Sequence, residues 1–274
     1  VDEITTEKDG RATSKPLYLG KYEIREIKAP YGMVLNGESQ TIELTYAGQE
    51  ISITETSAEF CNERQKAEIS LAKVLAQDEK FGIGMNSEIL SVQFGLFADE
   101  DLKSADGSVI PKDSLLEIVS CDENGKAAFN TDIPVGAKLY VKEISADIHY
   151  LKKKKKYPVI FEYAGQDVAT VNLSVNNGEL IENNLIYGTV KGLKIDRETD
   201  ETIAGALFGL FKADETEFTE KTAILLAKSN ENGIFTFENI PFGEWTIKEL
   251  QPAENYLPSD NIHRITVTEN EQII

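Results

Sequence analysis

Residues Glu231–Leu250 read ENGIFTFENIPFGEWTIKEL, and two other stretches follow the same order of residue types. They are Glu123–Ile144, ENGKAAFNTDIPVGAKLYVKEI, and Lys8–Ile27, KDGRATSKPLYLGKYEIREI. Each opens on an Asp-Gly or Asn-Gly pair, passes through Pro and Gly, and closes on an alternating aromatic segment ending in Lys-Glu or Arg-Glu. Alternation of apolar and polar residues between turn residues is the signature of a half-buried strand. Asp9-Gly10, Asn124-Gly125 and Asn232-Gly233 are expected as tight turns joining antiparallel strands, since both residues of such a pair tolerate positive φ.

Further repeats extend the pattern outward. Thr45–Glu50 (TYAGQE) matches Glu162–Asp167 (EYAGQD) at an offset of 117, and Gln93–Asp99 (QFGLFAD) matches Leu207–Ala213 (LFGLFKA) at an offset of 114, aligned on Phe94 and Phe208. Self-similarity at a fixed period means tandem units. Within a unit the order is a strand ending in Lys (EISLAK to Lys73, TVKGLK to Lys194), the FGLF strand, the Gly turn, the Ile-Pro-x-Gly segment, the Lys-Glu strand and the strand around YAGQ. This order divides the chain into the C-terminal part of one module over 1–65, a complete module over 66–187, and a module lacking its last strand over 188–274. The chain is therefore expected to be a window from a longer array.

Strands are expected at Ile42–Ile53, Leu139–Ile144, Val159–Phe161, Val168–Val175, Gly243–Leu250 and Arg264–Thr268, with little helix. Ser57–Lys66 has some helical propensity, but its place before the next module argues for a strand. Many short strands with frequent turns indicate an all-β fold of tandem β-sandwich modules.

Composition excludes several functions. The 274 residues carry 28 Lys+Arg against 47 Asp+Glu, a net charge of −19, which is the wrong sign for a nucleic-acid binder. The 41% hydrophobic content is enough for a packed core. No apolar run reaches the ~20 residues that span a bilayer, and the opening residues do not read as a charged and apolar leader. Cys61 and Cys121, with no CxxC pair or His cluster, read as small buried or half-buried residues rather than a zinc or disulfide framework. His149 and His263 join no nucleophile constellation. Asp196, Glu198 and Asp200 read as a solvated turn, and Asp99–Asp106 (DEDLKSAD) lacks the Gly and Glu spacing of a calcium loop. No cofactor and no metal is expected. Lys152–Lys156, five lysines in an acidic chain, reads as a solvated loop or a lysine-guarded edge strand in preference to a docking patch for an acidic partner.

The Lys-terminated strand, the FGLF strand, the NG turn, Ile-Pro-x-Gly and the aromatic Lys-Glu strand together resemble the B-type repeat of collagen adhesins (Cna B-type), which includes the SpaA-type pilin modules of Gram-positive surfaces. GALFGLFKAD (Gly205–Asp214), NIPFGEWTIKELQPAENY (Asn239–Tyr256) and IREIKAPYGM (Ile24–Met33) carry the likeness, which covers essentially the whole chain. The resemblance implies tandem immunoglobulin-like (prealbumin-like) β-sandwiches and a non-enzymatic structural role in an extracellular, cell-wall-anchored stalk. Its implied partners are neighbouring modules of the same chain, other pilin subunits or a host surface ligand. It also implies an autocatalytic Lys–Asn isopeptide bond.

Such a bond needs a neutral amine, a carboxamide within reach and an acid to carry protons as ammonia leaves. Burial lowers the pKa of a lysine and raises that of a carboxyl, and a fixed intramolecular pair reacts at a high effective concentration. The acid is then expected protonated, hydrogen-bonded to the amide oxygen. In the complete module the nucleophile would be Lys73, the proton-shuttling acid Glu143, and the acceptor Asn183 or Asn184. Asn62 precedes Lys73 by 11, and Asn183 precedes Lys194 by the same 11, which selects Asn183. The first module keeps Glu26 and Asn62 without a nucleophile. The third keeps Lys194 and Glu249, and the separation counted on from Glu249 runs past Ile274. Only the middle module should close its bond. The rival readings are a ligand-binding adhesin module contacting a host protein or glycan, and an accessory region of a glycosidase, for which no pocket motif speaks.

Overall fold

The computed structural model of the chain describes residues 2–103 and 107–274. Residues 104–106, the last three of DEDLKSAD, lie outside the described residues, as does Val1, the first residue of the module expected over 1–65. Among the described residues nearly all regular structure is β, with two single-turn 3-10 segments at Glu88–Ser91 and Val175–Gly178. Among the described residues no helix is long and apolar enough to cross a membrane.

Residues fall into two compact units. The first comprises residues up to Ala67 together with Asp132–Gly136 and Phe161–Val171. Its strands Gly20–Arg25 and Ser39–Leu44 form an antiparallel pair from Gly20↔Leu44 to Arg25↔Ser39. The buried Gln65 clasps the YAGQD segment there: its Nε2 donates to the carbonyls of Gly165 (3.0 Å) and Val168 (2.7 Å), and its Oε1 accepts from the Ala164 N–H (2.9 Å). The strand expected over Ile42–Ile53 stops at Leu44, where the TYAG sequence brings turn residues instead of alternation. Ser57–Gln65 is neither helix nor strand: its one pairing is an isolated bridge at Arg64, and Cys61, expected at least half-buried, is exposed on this segment.

The second unit holds Glu68–Thr131, Ala137–Ile160 and Asn172–Ile274. In its first half, strands Lys156–Ile160, Lys138–Ser145, Gln93–Ala98 and Leu115–Ser120 lie side by side in that order, all antiparallel. A second sheet is built on Lys66–Leu75, which pairs antiparallel with Lys126–Phe129 and parallel with Ile181–Asn183, and also borders Thr170–Ser174. The same plan recurs from Tyr187 onward: Leu225–Lys228, Leu207–Lys212, Gly243–Gln251 and Ile262–Val267 form one sheet, and Ile234–Pro241, Tyr187–Leu193 and Gln272–Ile273 the other. Alternation packs Phe94, Leu96, Leu139 and Val141 inside one half and Phe208, Leu210, Phe235, Phe237 and Ile247 inside the other.

The Asn-Gly turns differ from expectation. Leu115–Ser120 and Lys126–Phe129, on either side of Asn124-Gly125, belong to different sheets, as do the strands flanking Asn232-Gly233. These turns are corners of the sandwich rather than hairpin tips. Only the glycine takes positive φ, +73° at Gly125 and +71° at Gly233. The preceding turn is held by a side chain, Asp122 Oδ1 accepting from the N–H of Asn124 and Lys126 at 2.8 Å each, and Asn230 Oδ1 doing the same for Asn232 and Ile234. No strand flanks Asp9-Gly10.

Candidate functional site

Lys73 sits in Lys66–Leu75, whose burial alternates so that Ile69, Leu71, Lys73 and Leu75 all point inward. Asn183 is the inward residue at the end of Ile181–Asn183, and the parallel register Ile181↔Lys73, Asn183↔Leu75 puts it diagonally next to Lys73 on the same inner face. Asn184, one residue on, is exposed. Glu143 comes from the opposite sheet. The pairing slips by one residue where Gln93↔Ser145 is followed by Phe94↔Glu143, a bulge that presents the carboxylate to the core.

The three side chains meet in the interior. Lys73 Nζ lies 3.6 Å from Glu143 Oε1, with neither side chain exposed. Asn183 Nδ2 donates to the same oxygen at 2.6 Å. Glu143 Oε2 accepts the main-chain N–H of Lys153 at 2.6 Å. Lys73 Nζ and Asn183 Oδ1 have no hydrogen-bond partner. Burial pulls Lys73 down from 10.5 to about 8, against the opposing pull of Glu143. The amide meets the carboxyl through its nitrogen, where its oxygen was expected, because both carboxyl oxygens here act as acceptors and only the NH2 end can donate. The unpartnered Oδ1 is left free to accept.

Cys121, three residues before Asn124 of the Asn-Gly corner, is buried close by. Its thiol is pushed up to about 11, first by burial, while Lys73 pulls it the other way. Sequence reasoning gave it no part, and nothing in its spacing would have.

The other candidates are paired in the same sense. Glu26 Oε2 accepts Asn62 Nδ2 at 2.6 Å and the Asn36 N–H at 2.7 Å, and Asn62 Nδ2 also donates to the Val34 carbonyl at 2.9 Å. Lys194 Nζ lies 3.3 Å from Glu249 Oε1, with the lysine side chain 20% and the glutamate 4% exposed. Glu249 follows the same bulge as Glu143, Leu207↔Gln251 giving way to Phe208↔Glu249. At both lysines the corner glycine backs the strand: the Lys73 N–H donates to the Gly125 carbonyl at 2.7 Å and the Lys194 N–H to that of Gly233 at 2.8 Å.

The lysine run ends in an edge strand, Lys156–Ile160, which among the described strands pairs only with Lys138–Ser145. Lys156 pairs with Asp113 at 3.0 Å and Lys155 lies 4.8 Å from the Tyr157 ring centroid. Asp196 Oδ1 caps the N–H of Glu198 (2.7 Å) and Thr199 (3.1 Å) in an exposed turn. His149 bonds Asp147 at 2.6 Å and His263 lies on the outer strand Ile262–Val267, both apart from the three-residue centre.

A family model described as the SpaA prealbumin-like fold domain matches residues 1–58 and 188–274. No curated protein matches the chain. Among solved structures it is similar to the Bacillus anthracis TIE protein, with a TM-score of 0.69 and 23% identity over 99% of this chain and 43% of that one. The chain thus spans less than half the length of that structure, and the likeness shows the fold. It is also similar to the C-terminal fragment of the pilus adhesin SpaC from Lactobacillus rhamnosus GG (TM-score 0.46, 13% identity, 74% of this chain and 82% of that one). A variant of BcpA, the major pilin subunit of Bacillus cereus, is similar at a TM-score of 0.42 and 15% identity, over 100% of this chain and 88% of that one.

Proposed function

The chain belongs to the family of SpaA prealbumin-like fold domains, and from that premise we propose that it is a structural stalk segment of a Gram-positive surface protein, locked in its middle module by a Lys73–Asn183 isopeptide bond. Its role is structural rather than enzymatic. The module division is 1–65, 66–187 and 188–274, and its partners are adjoining modules and other subunits of the same extracellular, wall-anchored assembly.

One observation carries this reading: a buried amine and a buried carboxamide share one carboxyl oxygen, at 3.6 Å and 2.6 Å. A lysine brought down to about 8 has a far larger neutral fraction at pH 7 than one at 10.5. The neutral Nζ attacks Asn183 Cγ, Glu143 takes the proton released by the attacking nitrogen and returns it to the departing one, and ammonia leaves. The new bond ties an early strand of the module to its last. Closing a loop of ~100 residues removes unfolded-state entropy worth about 4 to 5 kcal/mol on the disulfide model. Force entering at Lys66–Leu75 and leaving after Ile181–Asn183 would pass through the bond instead of the hydrogen-bonded sheets.

Intact-mass measurement tests the reading. The expected mass is that of the sequence less one ammonia, and a chain of full, unmodified mass overturns it.

A further inference from the structure

The lysine run enters this site through its main chain. Leu151 and Lys153 are alternate residues of a segment that belongs to no strand, and in extended chain alternate N–H groups point the same way. The Leu151 N–H donates to the Asn184 carbonyl at 2.9 Å, next to the acceptor, and the Lys153 N–H donates to Glu143 Oε2 at 2.6 Å. One short segment therefore grips both the acceptor strand and the acid.

Resting on the isopeptide reading above, we propose that Lys153 is a positioning residue for the Lys73–Asn183 bond, its main-chain N–H fixing Glu143 Oε2 so that Oε1 faces amine and amide. A free carboxyl rotates about its last bond and offers either oxygen. With Oε2 occupied by an N–H donor, the proton in transit rides on Oε1, the oxygen that Lys73 and Asn183 share. The step balances without another reactant: the Nζ–Cγ bond forms, the Cγ–Nδ2 bond breaks, and the proton taken by Oε1 leaves with the nitrogen as ammonia. The flanking lysines hold the segment in place, Lys152 Nζ reaching the Ile144 carbonyl at 3.3 Å and Lys155 Nζ the Asn176 Oδ1 at 3.4 Å. The Lys153 ammonium acts in the same direction, adding to the burial that holds Lys73 near 8. The run thus supplies a hydrogen bond and a field.

The test is to replace the Lys153 amide by an ester, using the α-hydroxy analogue of lysine in cell-free synthesis, and to follow ammonia loss by intact mass after a synthesis pulse. The ester at 153 is expected to slow closure on the order of tenfold to a hundredfold, the cost of a misplaced catalytic group. The same ester at Lys154 should leave the rate unchanged, and Lys153→Ala, which keeps the N–H, should close far faster than the 153 ester. A 153 ester that closes at the unsubstituted rate overturns the role of Lys153 and leaves the bond standing. An unsubstituted chain that never loses ammonia overturns both. Should the ester fail to fold, the amide proton of Lys153 in the unsubstituted protein decides: it is expected far downfield and moving on Glu143→Gln, and an ordinary, unmoved shift overturns the proposal.

Discussion

Glu143 Oε1 stands 3.6 Å from Lys73 Nζ, with both side chains enclosed by the sandwich. Two opposite charges in an apolar interior lose hydration that their attraction barely repays, and removing one partner strands the other. Glu143→Ala is therefore expected to keep the unmodified mass and to lower stability by about 3 to 5 kcal/mol relative to a bond-free Asn183→Ala reference. Lys73→Met combined with Glu143→Leu should recover most of that loss without restoring the bond. Urea unfolding of the three variants decides. A Glu143→Ala chain that still sheds ammonia would remove Glu143 from the chemistry.

Lys73 also sets a pH dependence. Burial holds it near 8 in the folded state against 10.5 in the unfolded chain. Between these values the unfolded state binds the proton and the folded state does not, so stability rises with pH across that window; below about 8 the penalty is present in full. Asn183→Ala exposes the effect, since without the acceptor no bond forms and the Lys73 amine stays free to titrate. Its unfolding free energy should climb by roughly 2 to 3 kcal/mol from pH 7.5 to 10.5. A flat profile would mean that Lys73 is not held neutral by burial. In the unsubstituted chain, bond closure should quicken from pH 6 to pH 8 for the same reason.

Asn183 and Asn184 are adjacent and chemically identical, yet one is fully buried and the other exposed. Asn183→Ala should abolish the ammonia loss. Asn184→Ala should preserve it and change stability by no more than about 0.5 kcal/mol, as exposed substitutions usually do. The opposite pattern in the mass spectra would move the acceptor by one residue and reverse the strand face used.

The residues that meet in the core were legible because each lies in a repeated motif at a fixed place on a strand, and alternation dictates which way it points. Lys73, Glu143 and Asn183 are found that way. What stayed hidden depends on contacts between segments with no shared pattern. The Lys153 N–H is a main-chain group and carries no side-chain signature. Cys121 is a lone thiol whose nearness to Lys73 follows only from the fold. The corner turns misled for a related reason: Asn-Gly specifies a sharp change of direction, but whether the next strand pairs in the same sheet depends on long-range packing against Lys66–Leu75. The TYAG break after Leu44 shows the limit of periodicity, since the alternation of Ile42 and Leu44 invites a longer strand than the turn residues that follow allow.

The second half of the larger unit is joined to the first by aromatic packing. Phe81 meets Trp245 edge to face at 5.0 Å, both nearly buried, and Trp245 Nε1 donates to the Pro241 carbonyl at 2.9 Å. Tyr187 OH donates to Asp78 Oδ2 at 2.9 Å alongside. Trp245 is the single tryptophan, so its fluorescence reports this junction alone. Phe81→Ala is expected to red-shift the emission, cost about 3 to 5 kcal/mol, and split one thermal transition into two. An unchanged emission maximum with a single transition would show that the junction does not couple the two halves.

Two demands meet at Gly125. Its φ of +73° lies where L-residues are strained, and a Cβ there would collide with the carbonyl oxygen of Lys73. Gly233 stands in the same relation to Lys194, with φ at +71°. The close approach also lets the Gly125 carbonyl accept the Lys73 N–H at 2.7 Å, so the corner sets where the nucleophile's backbone lies. Gly125→Ala must push the strand outward or change the turn, and either response moves Nζ relative to Glu143 and Asn183. The expected outcome is a loss of about 1 to 3 kcal/mol from the strained backbone together with markedly slower ammonia loss. Asn124→Ala, at a residue of negative φ in the same turn, should leave closure nearly intact. Equal rates in the two variants would show that the corner glycine serves the turn alone and does not position Lys73.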